Sequence, residues 1–157
     1  MNLILKNSKY VKWYTNLAPL FLNIPDLKDY TYFISDLEIN GRIIEPLNND
    51  MFISGTKLSD IVTKNDIQFC WGVFSAFKVV PNSIEPEIPF ADCNPSFWKE
   101  FPTPQARDAE FEIVCFDSES ILFIGVNDDI GSKLNELYPD IKDLDEENKA
   151  IMKKENE

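Results

Sequence analysis

Residues 67–80 read IQFCWGVFSAFKVV. The run is apolar nearly throughout, with no alternation of inward and outward positions, which predicts a strand in the interior of a sheet with both faces covered. Such a strand needs neighbours on either side and a layer of chain above and below it. Downstream, Glu110–Phe116 and Ile121–Val126 are two further strand-like runs, and the polar stretch Asp117-Ser118-Glu119-Ser120 between them suits a hairpin. Upstream, Tyr30–Ile39 is β-branched and aromatic and stops at the turn dipeptide Asn40-Gly41.

Helical spacing occupies the gaps. Ser8 offers a cap to a segment over 8–18 in which Tyr10, Tyr14, Leu17 and Phe21 share a face until Pro19 interrupts it. Ser54 and Gly55 open a second helix carrying Leu58, Ile61 and Val62. Asn127 or Asp128 caps a third with Ile130, Leu134 and Leu137 on one face, ended by Pro139. Without regular βαβ alternation, this order predicts a single α+β domain over residues 1–142, on a mainly antiparallel sheet with a few short helices. Six of the ten prolines fall within 81–104, so residues 81–108 are expected to be a long proline-rich loop crossing the domain surface, with Phe90, Phe97, Trp98 and Phe101 as its anchors. Residues 143–157 are mostly Asp, Glu, Asn and Lys, which predicts an acidic tail, frayed or helical.

The charge is uneven along the chain. Residues 1–80 hold eight acids and eight bases, whereas 81–157 hold nineteen acids and seven bases, so the whole net charge of −12 arises in the second half. That surface repels phosphate backbones and anionic leaflets, so no nucleic-acid partner and no membrane partner is expected, and a basic protein fits better. Acidity also simply keeps proteins soluble. The three cysteines, Cys70, Cys93 and Cys115, are odd in number and lack CxxC spacing, which suits reduced thiols in a cytoplasmic protein. Beyond Leu3–Leu5 the N-terminus has no export-signal pattern, and no apolar run approaches membrane-spanning length.

Histidine is absent, which excludes Ser-His-Asp and Cys-His nucleophiles, the HExxH helix and imidazole zinc sites. Asp36 and Glu38 alternate onto one face of their predicted strand, as two carboxylates holding a divalent cation would, although strand ends often carry solvent-facing acids. Pro139-Asp140 with Glu147-Asn148-Lys149 superficially matches the split pattern of metal-dependent nucleases, but these residues fall after a helix stop rather than on adjoining strands. Asn127–Gly131 lacks the alternating ligands of a calcium loop. Cys70, beside Trp71 in an apolar strand, reads as core. The five glycines are scattered, so no phosphate loop is present. No enzyme activity, cofactor or metal is expected.

Several segments nevertheless form a familiar set: ISDLEI at 34–39, ISGTKLSDIV at 53–62, IQFCWGVFSAF at 67–77, ADCNPSFWKEF at 91–101, EIVCFDSESILFI at 112–124 and LYPDIKDLDEENK at 137–149. Together they resemble a family of small uncharacterised bacterial proteins associated with immunity to polymorphic or contact-dependent toxins. The resemblance spans most of the chain after residue 30. It implies a cytoplasmic, non-catalytic inhibitor of one cognate toxin, and it carries no established set of binding residues. Concentrated negative charge suits a basic toxin, a nuclease above all, because it steers encounter and lets carboxylates stand where substrate phosphates would. The contact surface is then expected on the proline-rich loop at Glu85, Glu87, Asp92, Phe97, Trp98 and Glu100. The alternatives are a carboxylate or metal-dependent enzyme using Asp36 and Glu38, and a small-ligand module with an enclosed apolar pocket.

Overall fold

The interior strand expected at 67–80 is β4 (Phe69–Phe77) in a computed structural model that describes all 157 residues. It is the third strand of a seven-stranded sheet ordered β3-β2-β4-β5-β6-β1-β7, with β1 Leu3–Lys6, β2 Thr31–Ile39, β3 Met51–Ser54, β5 Phe111–Phe116, β6 Ser120–Ile124 and β7 Lys142–Asp143. Every pairing is antiparallel. Four helices complete the α+β domain: α1 Ala18–Asn23, α2 Gly55–Lys64, α3 Asp128–Leu137 and α4 Leu144–Glu155. None is long and apolar enough to cross a membrane.

Register explains why β4 could not alternate. On one side of the sheet Ile34, Phe74, Ile113, Phe123 and Leu3 line up across β2, β4, β5, β6 and β1, and all five are buried in the main core. On the other side Val73, Val114, Leu122 and Ile4 line up in the same way within a second buried cluster. Helices α1, α2 and α3 cover the first side. The loop 81–110 and the start of α4 cover the second, through Ala91, Phe97, Ala106 and Leu144.

The hairpin forms as expected. Asp117 and Ser118 take left-handed backbone conformations and the Glu119 amide donates to the Phe116 carbonyl, which matches the twist of the flanking strands. Ser54 caps α2 through the Lys57 amide, and Asn127 caps α3 through the Ile130 amide. Gly55 is required at the start of α2, because a Cβ there would lie 2.7 Å from the Leu27 and Lys28 carbonyl oxygens.

Residues 8–17 depart from the expected helix. Trp13 Nε1–H donates to the Ile67 carbonyl at 2.9 Å and the Thr15 hydroxyl donates to the Phe69 carbonyl at 2.7 Å, tying this stretch to the entry of β4 in irregular conformation. Thr15 is left-handed, which no helix tolerates. Pro19 then sits in the first turn of α1, where its missing N–H costs nothing, so it starts a helix rather than stopping one. The acidic tail is helical as α4, and its first two turns are docked, with Leu144 and Asn148 both 1% exposed. Strands β1 and β7, which carried no strand expectation, complete the far edge.

One sheet position breaks the apolar rule. Glu112 on β5 is wholly buried, facing the loop side opposite Ser75; its Oε1 accepts from the Ser75 hydroxyl and the Ala106 amide, each at 3.0 Å, while Oε2 has no partner. Burial raises its carboxyl above the ordinary range, against the lowering effect of these hydrogen bonds. The native state therefore holds the proton more tightly than the unfolded chain, so the stability linked to Glu112 is complete below the unfolded pKa and lost as pH rises through the folded value. Glu112→Gln should raise Tm at pH 7 by about 2–4 °C, the shift that about 1 kcal/mol produces in a chain of this size. Thermal melts should show the gap closing as pH falls toward about 4, and an equal gap at both pH values would contradict the assignment.

Candidate functional site

A segment rich in proline cannot join a strand ladder, so its backbone groups need other partners when the segment is laid on a sheet. Four side chains supply them. Asp36 of β2 accepts from the Ala91 and Asp92 amides through Oδ2, both at 2.8 Å. Glu112 of β5 accepts from the Ala106 amide. Asn148 of α4 donates through Nδ2 to the Phe97 and Lys99 carbonyls at 2.9 and 2.7 Å. Asn2, just before β1, donates to the Pro102 carbonyl at 2.8 Å. Within the loop, Gln105 and Asn94 close a smaller net around Phe90.

This geometry settles where the expected site residues stand. Glu85, Glu87, Asp92 and Glu100 are exposed on the loop. Trp98 is half-buried and meets Phe116 edge to face at 5.0 Å, while Phe116 in turn meets Trp71 at 4.8 Å. Phe97 is different: it is 1% exposed and belongs to the cluster beneath the loop, so its side chain offers no surface to a partner. The cause is a 3-10 turn over Pro95–Trp98, capped by Asn94 through the Ser96 amide, which directs Phe97 onto the sheet. Conversely, Phe90 and Phe101, expected as anchors, are 39% and 61% exposed, and Ile88 stands out beside them in sequence. The apolar surface of the loop is therefore Ile88, Phe90 and Phe101 with part of Trp98.

The Asp36 and Glu38 pair does not stand as two free carboxylates. A bulge between Ser35 and Glu38 interrupts the alternation of β2, and Asp36 is left-handed within it, so its carboxylate reaches the two loop amides. Glu38 remains exposed opposite Trp71. No group of three or more His, Cys, Asp or Glu side chains is placed to hold a metal ion. Cys115 is buried in the main core, where burial pushes its thiol up and away from thiolate; Cys70 is half-buried and Cys93 exposed.

Folding converts the charge asymmetry of the chain into an asymmetry between two sides. The layer on the loop side, residues 81–110 and 143–157, holds twelve acids and five bases. The opposite layer, residues 7–30, 55–66 and 127–141, holds eight acids and six bases. The first layer thus carries an excess of seven negative charges and the second an excess of two. Exposed aromatic and aliphatic side chains therefore stand amid carboxylates on the loop-side layer. Comparison of the chain with protein-family models, curated proteins and solved structures found no match.

The Asp36 pin generates a direct test. Asp36→Ala removes two charge-assisted hydrogen bonds and leaves a Cβ residue in a left-handed position, for an expected loss of about 2–4 kcal/mol in urea unfolding. Asp36→Asn keeps one acceptor and tolerates that conformation, and should cost about 1 kcal/mol. Hydrogen exchange at Ala91 and Asp92 should accelerate in both variants, more in the alanine one.

Proposed function

We propose that this protein is an immunity protein, which binds a cognate toxin domain of basic character and neutralises it by occupying its working surface. The reading rests on one observation above the rest: the excess negative charge and the exposed apolar side chains of the loop lie on the same layer, held on the sheet by Asp36, Glu112, Asn148 and Asn2. A pinned surface binds with less loss of conformational freedom than a mobile one. Its carboxylates accelerate encounter with a basic partner, and its aromatic groups supply the apolar contacts that hold the complex once formed.

The contact set under this reading is Glu85, Glu87, Asp92, Trp98 and Glu100 with Phe101, Phe90 and Ile88. Phe97 supports the surface from beneath. Inhibition requires no chemistry on the toxin, only that a basic groove be filled by acids in place of its phosphate-bearing substrate.

The test is co-expression of this protein with the C-terminal domain encoded by the adjacent upstream gene. Survival of the host together with co-purification is the expected result, and toxicity that this protein fails to relieve would overturn the reading. Two variants matched in net charge then locate the surface. Glu85→Lys with Glu87→Lys should lower the association rate at least 10-fold at low salt, whereas Asp66→Lys with Glu136→Lys, on the opposite side, should change it less than about 2-fold. Equal losses in the two pairs would show that total charge alone matters.

A further inference from the structure

Between α4, the loop and the ends of β5 and β6 lies a cavity of about 160 Å³. Five of its ten lining residues are apolar, among them Trp98 and Phe116 and, from α4, Leu144 and Ile151. Glu119 and Glu147 also line it. The volume is close to that of cavities that admit one six-membered ring or a short alkyl chain.

Two features select the guest. The lining combines an apolar body with carboxylates, which matches a side chain with a methylene stem and a positive head. Trp98 and Phe116, perpendicular to each other at 5.0 Å, put aromatic surface against the stem of such a side chain. Asn148 also lines the cavity, and its Nδ2, engaged by the Phe97 and Lys99 carbonyls, fixes α4 against the loop so that the cavity keeps its shape. Opposing these is Lys6, the only cation on the wall, which makes no ion pair; Glu147 for its part is 4.0 Å from Lys142, a loose and exposed contact. Two carboxylates against one ammonium leave the cavity acidic.

Resting on the reading of this layer as a toxin-binding surface, we propose that the cavity receives a lysine side chain of the partner protein. The stem lies between Trp98, Phe116 and Ile151, and the ammonium meets Glu119 and Glu147. The cavity gives the acidic surface a specific lock, since a general field of carboxylates attracts any basic protein whereas a pocket of this size accepts one side chain in one register.

The probe is n-butylammonium, the end of a lysine side chain, titrated into the intact protein and followed by the indole N–H resonance of Trp98, with 1-butanol as the neutral isostere. A saturable shift centred on Trp98 is expected, with n-butylammonium binding at least 5-fold tighter than 1-butanol. Glu119→Gln with Glu147→Gln should weaken it at least 5-fold, Lys6→Ala should tighten it about 2- to 3-fold, and Ile151→Phe, which fills the cavity from an exposed helix position, should abolish it. Equal binding of alcohol and amine, or shifts spread over the whole acidic layer, would overturn the proposal. The toxin domain separates this from the broader reading. Loss of at least 10-fold in its affinity for Ile151→Phe supports the pocket, and unchanged affinity overturns the pocket as a partner contact while Glu85→Lys with Glu87→Lys still tests the surface.

Discussion

A polypeptide without amide hydrogens at six positions of one segment cannot be added to a sheet by backbone pairing, yet here that segment covers half of the sheet. The solution is side-chain capture. Asp36, Glu112, Asn148 and Asn2 each reach backbone atoms of the loop, and they come from β2, β5, α4 and the chain preceding β1. Each is polar at a position where the surrounding pattern calls for an apolar residue or a free surface one, and three of them are buried. Buried polar groups of this kind fix one arrangement, because any other leaves them without partners. The remainder of the loop side follows from this: Phe97 and Ala91 fill the space beneath, and the exposed acids are held above it.

The two sides of the sheet are stabilised by different means. Helices α1, α2 and α3 satisfy their own backbone and contribute mainly apolar faces, joined by contacts such as the edge-to-face pairs of Phe21, Tyr32 and Phe111. The opposite side has a smaller apolar cluster and a larger share of polar ties. Acidity is tolerated there because the carboxylates stand in solvent, where repulsion is screened, while the one buried acid keeps its proton more readily. Charge, rigidity and exposed aromatic groups are therefore found together on one layer.

Much of this was legible from residue patterns. The uniform apolarity of 67–80, the Asp-Ser turn of the hairpin and the caps at Ser54 and Asn127 are local signals, and local signals survive folding. What the sequence left dark was long-range. Nothing near Trp13 or Thr15 announces that their donors belong to carbonyls at Ile67 and Phe69, so helical spacing misled over 8–17. Strand β1 is too short to read, and its pairing with β6 is what makes it a strand. Phe97 anchors the loop as expected but is lost as a contact residue, and Phe101, expected as an anchor, is exposed, because four residues of 3-10 turn decide which aromatic side chain faces the sheet. One signal was available: a lone glutamate inside FEIVCF, on a strand otherwise buried, marks a polar partner above it.

The ties around Asn2 also constrain the order of events during synthesis. Its Nδ2 meets both the Pro102 carbonyl and the Asp145 carboxylate, its Oδ1 accepts from the Gly125 amide, and its carbonyl accepts from the Leu144 amide. Residues a hundred or more positions away thus meet at one residue near the N-terminus. A ribosome-bound chain can assemble α2 and the β5–β6 hairpin from local contacts, but the loop side cannot close before α4 has left the exit tunnel. Until then the apolar surface of β4 and β5 on that side is open to solvent, so this face of the sheet is the last to be covered.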